Sequence, residues 1–192
     1  FEDDRYTYKT DTSLWSDCDY NDASITKVYP NHYGASDLRV ALKTMATDTS
    51  YFTSAEQGLM NDTAVTTKDT KNSSVTYTTT DKLYALAADG YGSTTIKAGT
   101  NNQTVLAMSK YWSRGTWFWL RSPYGPYDNY ALPAIPGFYV YRNDVGSDFA
   151  VQPASNLNLS SVLFASSAKA ASSDTVSGTL KDGTAMTLRL NG

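Results

Sequence analysis

The sequence predicts a mixed α+β fold in which two short helices accompany many short strands. Two segments combine a capping residue with apolar residues at helical spacing, whereas most of the remaining chain alternates apolar and polar residues between Gly, Pro, Asn and Asp. The 192 residues are enough for one domain with a hydrophobic core. Its 25 Thr and 21 Ser replace many charged groups, a composition that suits an extracellular β-rich protein better than a cytosolic enzyme.

The two helices are predicted from their N-terminal caps. Ser36 is a favourable N-cap and Asp37 complements the positive end of the helix dipole, so the first helix is expected to begin there. Thr53 and Glu56 have the spacing of a capping box, which predicts a second, shorter helix. Apolar residues follow both caps, as a helix packed on a core requires.

Strands are predicted in the Thr-rich region that follows the helices. Val75, Tyr77 and Thr79 alternate with polar residues, which is typical of an exposed strand, and residues 82–86 are expected to continue as a strand. Several glycines then indicate a loop. After this loop, residues 104–109 are expected to form a helical turn.

The chain is predicted to contain one ligand-binding domain at residues 1–165. Residues 166–178 are rich in Ala and Ser, the composition of a linker. Residues 179–192 contain an Asp182-Gly183 turn signal before alternating apolar residues, which predicts a β-hairpin. This hairpin either begins a following β module or supplies an edge strand to the same domain.

Charge and hydropathy exclude two classes of partner. The net charge is −3, the pI is near 5.0 and no basic cluster is present, so nucleic acid is not an expected partner. No apolar run approaches the roughly 18 residues that a membrane-spanning helix needs, so direct membrane insertion of this fragment is not expected.

Enzymatic chemistry is not expected either. His32 is the only histidine and Cys18 the only cysteine, so neither a Ser-His-Asp triad nor a Cys-His pair is supported. Residues 17–22 begin like a calcium loop but lack its Gly and its bidentate Glu, and we interpret them as an Asp/Asn-rich turn. Asp144 and Asp148 are interpreted as polar loop residues. No catalytic residue, metal site or cofactor is predicted.

Aromatic residues are concentrated in residues 111–149, which hold 12 of the 25 in the chain. Lys is absent from this segment while Arg is retained, a composition typical of the centre of an interface. Trp119 is interpreted as part of a core strand. Beyond Pro123, Tyr residues are interleaved with Gly, Pro, Asp and Asn, so we expect them on loops, where Tyr provides stiff, amphipathic contact area.

The ligand-binding residues are predicted within this aromatic segment. Tyr and Phe would supply buried area, while Arg, Asp and Asn would determine orientation and specificity. The predicted contact residues are Arg114, Tyr124, Tyr127, Asp128, Asn129, Tyr130, Phe138, Tyr139, Tyr141, Arg142, Asn143, Asp144 and Phe149.

Six short motifs occur in a characteristic order along the chain. They are SDLR at 36–39, FTSAE at 52–56, TTDKL at 79–83, FWLRSP at 118–123, VQPA at 151–154 and NLNL at 156–159. This order, over roughly residues 35–165, resembles a family of C-type-lectin-like domains in surface proteins of Gram-positive gut bacteria and their phages. The family's usual Arg-Pro-Ala is Gln152-Pro153-Ala154 here.

The resemblance implies a C-type-lectin-like fold of the formylglycine-generating-enzyme type. In this fold two helices pack on a twisted, mostly antiparallel sheet, and long loops present a ligand face. It does not imply the chemistry of that enzyme, which needs cysteines that this chain lacks. Some relatives are variable proteins of diversity-generating retroelements, in which mutagenesis of AAY codons randomises the binding residues. Such codons cannot become Lys, Glu, Gln, Met or Trp.

The composition of the segment from Tyr124 to Phe149 agrees with that mutational rule. None of the five inaccessible residue types occurs in its 26 positions, although they make up 23 of the 192 residues overall. About three would be expected from that frequency. Trp119 and Gln152 would then be framework residues on either side of a variable insert.

We therefore predict a non-enzymatic recognition module that is displayed on a bacterial surface or a phage particle. Its expected partner is a protein or glycan on another cell or surface, bound without covalent chemistry through the Tyr-rich loops. Two alternatives stay open: a calcium-assisted carbohydrate-binding lectin, and a structural adhesin or stalk domain in which the aromatic segment is core.

Overall fold

The computed structural model describes residues 8–98, 103–107, 116–135, 139–158, 162–167 and 186–190. It contains two α-helices and several antiparallel sheets, a mixed α+β fold as predicted. Contacts divide the chain into two units, Phe1–Asn156 and Leu157–Gly192. In the described residues no helix is long and apolar enough to cross a bilayer.

Both predicted helices are confirmed together with their caps. Helix α1 spans Asp37–Thr47, and the Ser36 side chain accepts a hydrogen bond from the backbone N–H of Arg39. Helix α2 spans Ser54–Leu59 and begins with the complete capping box of Thr53 and Glu56. Among the residues described before α1, Thr12–Trp15 and Tyr33–Ala35 form short 3-10 helices.

The strands are short and lie mostly in the first unit. In chain order they are β1 (Asp19–Tyr20), β2 (Met60–Asn61), β3 (Thr63–Lys68), β4 (Thr76–Asp81), β5 (Tyr84–Ala85), β6 (Thr95–Ala98), β7 (Gln103–Ala107), β8 (Phe118–Pro123), β9 (Tyr130–Ala134), β10 (Asn143–Asp144), β11 (Pro153–Ala154), β12 (Asn156–Leu157), β13 (Val162–Ser167) and β14 (Met186–Leu190). Pairing is antiparallel in the sheets β1-β4-β3, β10-β9-β8, β11-β5, β6-β7 and β13-β14.

The strand predicted around Tyr77 exists as β4, but its prediction as an exposed strand was wrong. Val75, Tyr77 and Thr79 are buried, and Tyr77 stacks on the ring of His32 with 4.0 Å between the ring centroids. Strand β4 lies between β1 and β3, so both of its edges are paired. Alternation in sequence shows which side chains share a face but not which face packs on the core.

The region around the Gly-rich loop also differs from the prediction. Residues 104–109 were expected to form a helical turn, but Gln103–Ala107 is strand β7, which pairs with β6 across a bulge. The expected strand at residues 82–86 is reduced to Tyr84–Ala85. A short apolar run is compatible with either helix or strand, and here the pairing partner selects the strand.

The FWLRSP motif forms β8, an outer strand of the three-stranded sheet β10-β9-β8 that carries the predicted binding segment. Strand β8 pairs with β9, and the register shifts between Trp119 and Pro123. The polypeptide between the two strands forms a loop that contains Tyr124 and Tyr127. Strand β10 pairs with the outer edge of β9, which places Asp144 opposite Tyr130.

The main hydrophobic core of the first unit lies beneath this sheet. Its buried members are Leu86, Ala88, Ile96, Phe118, Leu120, Leu132, Ala134 and Val140. A smaller cluster of Trp15, Val28 and Ala35 packs under the N-terminal segment. Leu120 and Leu132 lie on the adjacent strands β8 and β9. These two side chains therefore anchor the sheet to the core near the β8–β9 loop, which contains Tyr124 and Tyr127.

Two buried arginines help to hold the framework of the first unit together. Arg39 on α1 donates from Nε to both carboxylate oxygens of Asp81 at 3.0 Å, and also binds Asp17. Arg121 of the FWLRSP motif is 1% exposed and donates from Nη1 to the carbonyl of Ala85 at 2.8 Å. Both contacts join segments that are far apart in sequence.

The second unit contains β13 and β14, which pair in antiparallel fashion with a register shift between Val162 and Phe164. The predicted linker at residues 166–178 and the Asp182-Gly183 turn lie mostly or wholly outside the described residues. The division found in the structure follows Asn156, whereas the predicted domain boundary follows residue 165. The strand at Val162–Ser167 pairs with the C-terminal strand Met186–Leu190 within the second unit.

Candidate ligand-binding face

A continuous row of aromatic rings is the most prominent feature of the predicted binding segment. In the part of the chain that the structure describes, successive ring centroids along this row are 4.8 to 6.4 Å apart. We call it the aromatic face, and it consists of Trp119, Phe149, Trp117, Tyr141, Tyr139, Tyr91, Tyr124, Tyr127 and Tyr130.

The rings come from several separate segments of the chain. Tyr124 and Tyr127 lie on the loop between β8 and β9, and Trp117 immediately precedes β8. Tyr139 and Tyr141 flank the buried Val140, so alternation directs both tyrosine side chains away from the core. This arrangement leaves the rings partly accessible while the backbone that carries them is packed.

Tyr91 joins the separate segments into one surface. Its ring contacts those of Tyr124, Tyr139 and Tyr141 at centroid distances of 6.4, 6.2 and 5.6 Å. It lies between Gly90 and Gly92, and Gly92 has a φ of +80°, a conformation that favours glycine. The Gly92 N–H donates to the carbonyl of Val140, which anchors the Tyr91 turn next to Tyr139 and Tyr141.

Arg142 provides the cation of the aromatic face. Its guanidinium carbon lies 4.9 Å from the Tyr91 centroid and 5.3 Å from the Tyr124 centroid. Nη1 also donates a hydrogen bond to the Tyr124 hydroxyl at 2.9 Å, which raises the pKa of Arg142. The guanidinium is thus positioned by two rings and one hydroxyl. The planar guanidinium of Arg can make these contacts together, whereas the compact ammonium of Lys cannot.

The aromatic face is accessible to a large partner. Tyr91 and Tyr127 are 48% and 54% exposed, and the remaining tyrosines of the face are half-buried. Aromatic side chains that are partly packed and partly exposed lose little conformational entropy when they are covered. These rings are therefore only partly packed, unlike the fully buried residues of the core.

The polar residues predicted to contact the ligand are largely engaged with one another. Asn129 donates to the Asp144 carboxylate at 2.9 Å, and the other oxygen of Asp144 accepts the N–H of Gly146. Asn143 accepts a hydrogen bond from Ser147, and Asp144 belongs to the same turn. These side chains shape the turn after β10, which reduces their capacity to bind a ligand.

The structure brings together most of the predicted contact residues. Tyr124, Tyr127, Tyr130, Tyr139, Tyr141, Arg142 and Phe149 all belong to the aromatic face or bind to it. Asp128 lies on the same loop and accepts a hydrogen bond from the hydroxyl of Tyr8 at 3.0 Å. Arg114 and Phe138 lie outside the described residues.

Two aromatic residues differ from the expectation at the sequence level. Trp119 was interpreted as core, but it is half-buried and its ring lies 4.8 Å from that of Phe149 at one end of the aromatic face. Tyr91 was not predicted, because it precedes the aromatic segment in sequence. A Tyr between two glycines, Gly90 and Gly92, was the signal in the sequence that could have identified it.

A cleft of about 650 Å³ adjoins one end of the aromatic face. It is lined mainly by apolar side chains, including Leu38 and Val40 of α1, Leu14 and Val151. Trp119 lines the cleft and also contacts Phe149. The cleft and the aromatic face are therefore continuous along this side chain.

His32 and Cys18, the two side chains considered for catalysis, lie in the first unit. His32 is buried, and its Nδ1 accepts the N–H of Ala35, which leaves Nε2 facing the Tyr20 hydroxyl at 2.6 Å. Burial lowers the pKa of His32 to about 3 and raises that of Cys18 to about 11. At neutral pH the imidazole is therefore uncharged and the thiol protonated.

The Asp-rich segment at residues 17–22 likewise makes structural contacts, namely ion pairs and hydrogen bonds within the first unit. Asp17 binds Arg39 at 2.9 Å and Lys43 at 2.6 Å, and the Arg39 guanidinium lowers the pKa of the Asp17 carboxyl. Asp22 accepts hydrogen bonds from Ser24 within a local turn. Among the described residues, no group of three or more His, Cys, Asp and Glu side chains is placed to hold a metal ion.

Comparisons of the chain with protein-family models, curated proteins and solved structures gave no match. No family is assigned. The C-type-lectin-like resemblance stays a prediction, and the architecture established by the structure is a mixed α+β fold with an aromatic surface on loops.

Proposed function

We propose that the chain is a non-enzymatic recognition module that binds its ligand through the aromatic face. The observation that carries this proposal is the unbroken row of partly exposed rings, with Arg142 over two of them. Aromatic residues and Arg are the residue types that most often dominate binding energy at protein interfaces. The buried members of the main hydrophobic core are other residues, although Tyr124 packs against that core from the face.

A protein surface is the ligand class that these residues favour. The rings provide a wide apolar area, whereas Asn129, Asn143 and Asp144, which could bind sugar hydroxyls, are engaged in their own turn. Protein interfaces are enriched in Tyr, Trp and Arg, with exclusion of water around them. A glycan is the second possibility, and the experiment below includes it.

Diversification of the aromatic face is part of the proposal. The contact residues are contributed largely by one contiguous segment, Tyr124 to Phe149, which lacks the five residue types that AAY mutagenesis cannot produce. Display on a bacterial surface or a phage particle would place this segment in contact with other cells. Calcium-assisted sugar binding and a purely structural stalk remain the competing functions.

The proposal is tested with labelled protein on a panel of bacterial and epithelial cells and on a glycan array. Wild type is compared with Tyr139→Ala, Tyr141→Ala and the control Tyr51→Ala, whose exposed ring lies outside the aromatic face. We expect loss of cell binding in the first two variants only. Equal loss in all three variants, or no binding by the wild type to any cell or glycan, would refute recognition through this face.

Gene sequencing across many isolates tests diversification separately. We expect substitutions confined to residues 111–149, beside a reverse transcriptase gene and a near-copy of the segment. An unvarying segment without those neighbours would remove the retroelement proposal and leave a fixed binding module.

A further inference from the structure

We propose that Asn31, together with Thr70 and Lys71, is a positioning site that fixes the loop between β8 and β9 through its main chain alone. The side chains of this loop would then be exchangeable without loss of its conformation. The relevance of this inference to ligand binding rests on the proposed recognition function. The hydrogen bonds that fix the loop do not depend on that function.

Asn31 is the centre of the positioning site. It is 5% exposed, and its side-chain amide donates to the carbonyls of Tyr130 at 2.7 Å and of Tyr127 at 3.3 Å. Its own backbone N–H donates to the carbonyl of Asp128 at 3.1 Å. One buried residue therefore binds three main-chain carbonyls of a loop that lies almost a hundred residues away in sequence.

Two residues from the connection between β3 and β4 complete the site. The Thr70 hydroxyl donates to the Asn31 side-chain oxygen at 2.5 Å, which orients the amide so that its NH₂ points at the loop. Lys71 donates from Nζ to the carbonyls of Gly125 and Pro126 at 3.0 and 3.1 Å. The loop is thus held from its first turn to its last residue.

The atoms that the site recognises are independent of the loop sequence. Every residue type carries a carbonyl, so replacing Tyr127 or Asp128 leaves the acceptors of Asn31 unchanged. Asn31, Thr70 and Lys71 lie outside the predicted variable segment and would stay constant while it changes. Gly125 is the exception in the loop, because a Cβ there would lie 3.1 Å from the carbonyl oxygen of Thr70.

Amide hydrogen exchange of the loop tests this inference and needs no ligand. Three loop amides are hydrogen-bonded within the loop, those of Tyr124, Tyr127 and Tyr130. We expect Asn31→Ala and Lys71→Met each to accelerate their exchange by about tenfold or more, because the first variant releases the carbonyls of Tyr127 and Tyr130, the second releases those of Gly125 and Pro126, and the loop then opens more often. Lys71 lies at the surface, so that variant keeps the test available if Asn31→Ala does not fold.

Matched controls separate positioning from general stability. Gln57 on α2 donates from Nε2 to the Phe52 carbonyl at 2.9 Å, so Gln57→Ala removes a comparable bond from a side chain to the main chain outside the loop and its anchoring segments. Lys68→Met removes a surface Lys from the end of β3. We expect neither control to change the exchange of the loop amides, and α1 amides to exchange alike in Lys71→Met and Lys68→Met.

The second arm replaces the loop side chains themselves. We expect the triple variant Tyr124→Ser, Tyr127→Ser, Tyr130→Ser to keep loop protection within about threefold of wild type, even though the Tyr124 bond to Arg142 is lost. Loss of protection in this variant, or wild-type exchange in both Asn31→Ala and Lys71→Met, would overturn the inference. Either result leaves the cell-binding test of the proposed function unaffected, so the two can fail separately.

Discussion

The guanidinium of Arg142 lies 4.9 Å from the centre of the Tyr91 ring, although the two residues come from separate segments of the chain. The contact joins the turn between Gly90 and Gly92 to the segment that follows β9. The guanidinium also lies 5.3 Å from the centre of the Tyr124 ring, which places a positive charge beside these two contacting rings of the aromatic face.

The first prediction concerns this cation. We expect Arg142→Lys to weaken cell binding nearly as much as Arg142→Ala, because an ammonium cannot lie flat on two rings and bind the Tyr124 hydroxyl together. The measurement is titration of labelled protein on the responding cells. Lys27→Ala, which removes a cation from the separate Tyr8 ring, is the control, and full binding by Arg142→Lys would contradict the prediction.

The second prediction concerns the tyrosines beside Val140. We expect Tyr139→Ala and Tyr141→Ala each to weaken binding by more than roughly 1 kcal/mol while the melting temperature stays nearly unchanged, since both rings project away from the core. Binding titrations and thermal unfolding on the same samples test this. A loss of stability equal to the loss of binding would make the two rings structural.

The third prediction concerns the buried ion pair of Arg39 and Asp81. We expect Arg39→Met to reduce the free energy of unfolding by about 3–5 kcal/mol, because it leaves the Asp81 carboxylate buried without its partner. Urea unfolding is the measurement. The matched control is Lys97→Met, which breaks the surface pair with Asp89 and should cost less than about 1 kcal/mol. Similar costs for the two pairs would show that burial does not matter here.

The fourth prediction is a pH dependence caused by His32. Its pKa is about 3 in the folded chain and near 6.5 in the unfolded chain, so between these values only the unfolded chain binds the proton. The free energy of unfolding should therefore fall as the pH falls from about 6.5 towards 3. In His32→Asn, whose side-chain oxygen replaces Nδ1 as acceptor for Ala35, this dependence should be weaker. Equal slopes for the two proteins in urea unfolding would exclude His32 as the cause.

The fifth prediction separates the proposed function from a calcium-dependent lectin. Asp17, the first carboxylate of the calcium-like segment, is already engaged by Arg39 and Lys43. We expect millimolar calcium to leave the melting temperature unchanged, because an ion bound only by the folded state must raise it. A rise that chelator reverses would favour the lectin.

Features whose determinants lie within a few residues of one another were predictable from the sequence. Ser36 and the pair of Thr53 and Glu56 define the helix starts, since a cap bonds to backbone groups two or three positions away. The concentration of Tyr on loops likewise identified most of the aromatic face. Strand β7 was missed because a short apolar run adopts the structure that its partner strand imposes.

The sequence by itself determined the fold class, the two helices and the segment that carries most of the aromatic rings. Only the tertiary structure decided that Tyr91 completes the aromatic face, that Asn31 holds the tyrosine loop and that Arg39 pairs with Asp81. Each of these contacts joins residues that are distant in the chain. No local pattern specifies such pairs, because they depend on how the core brings the sheets and α1 together.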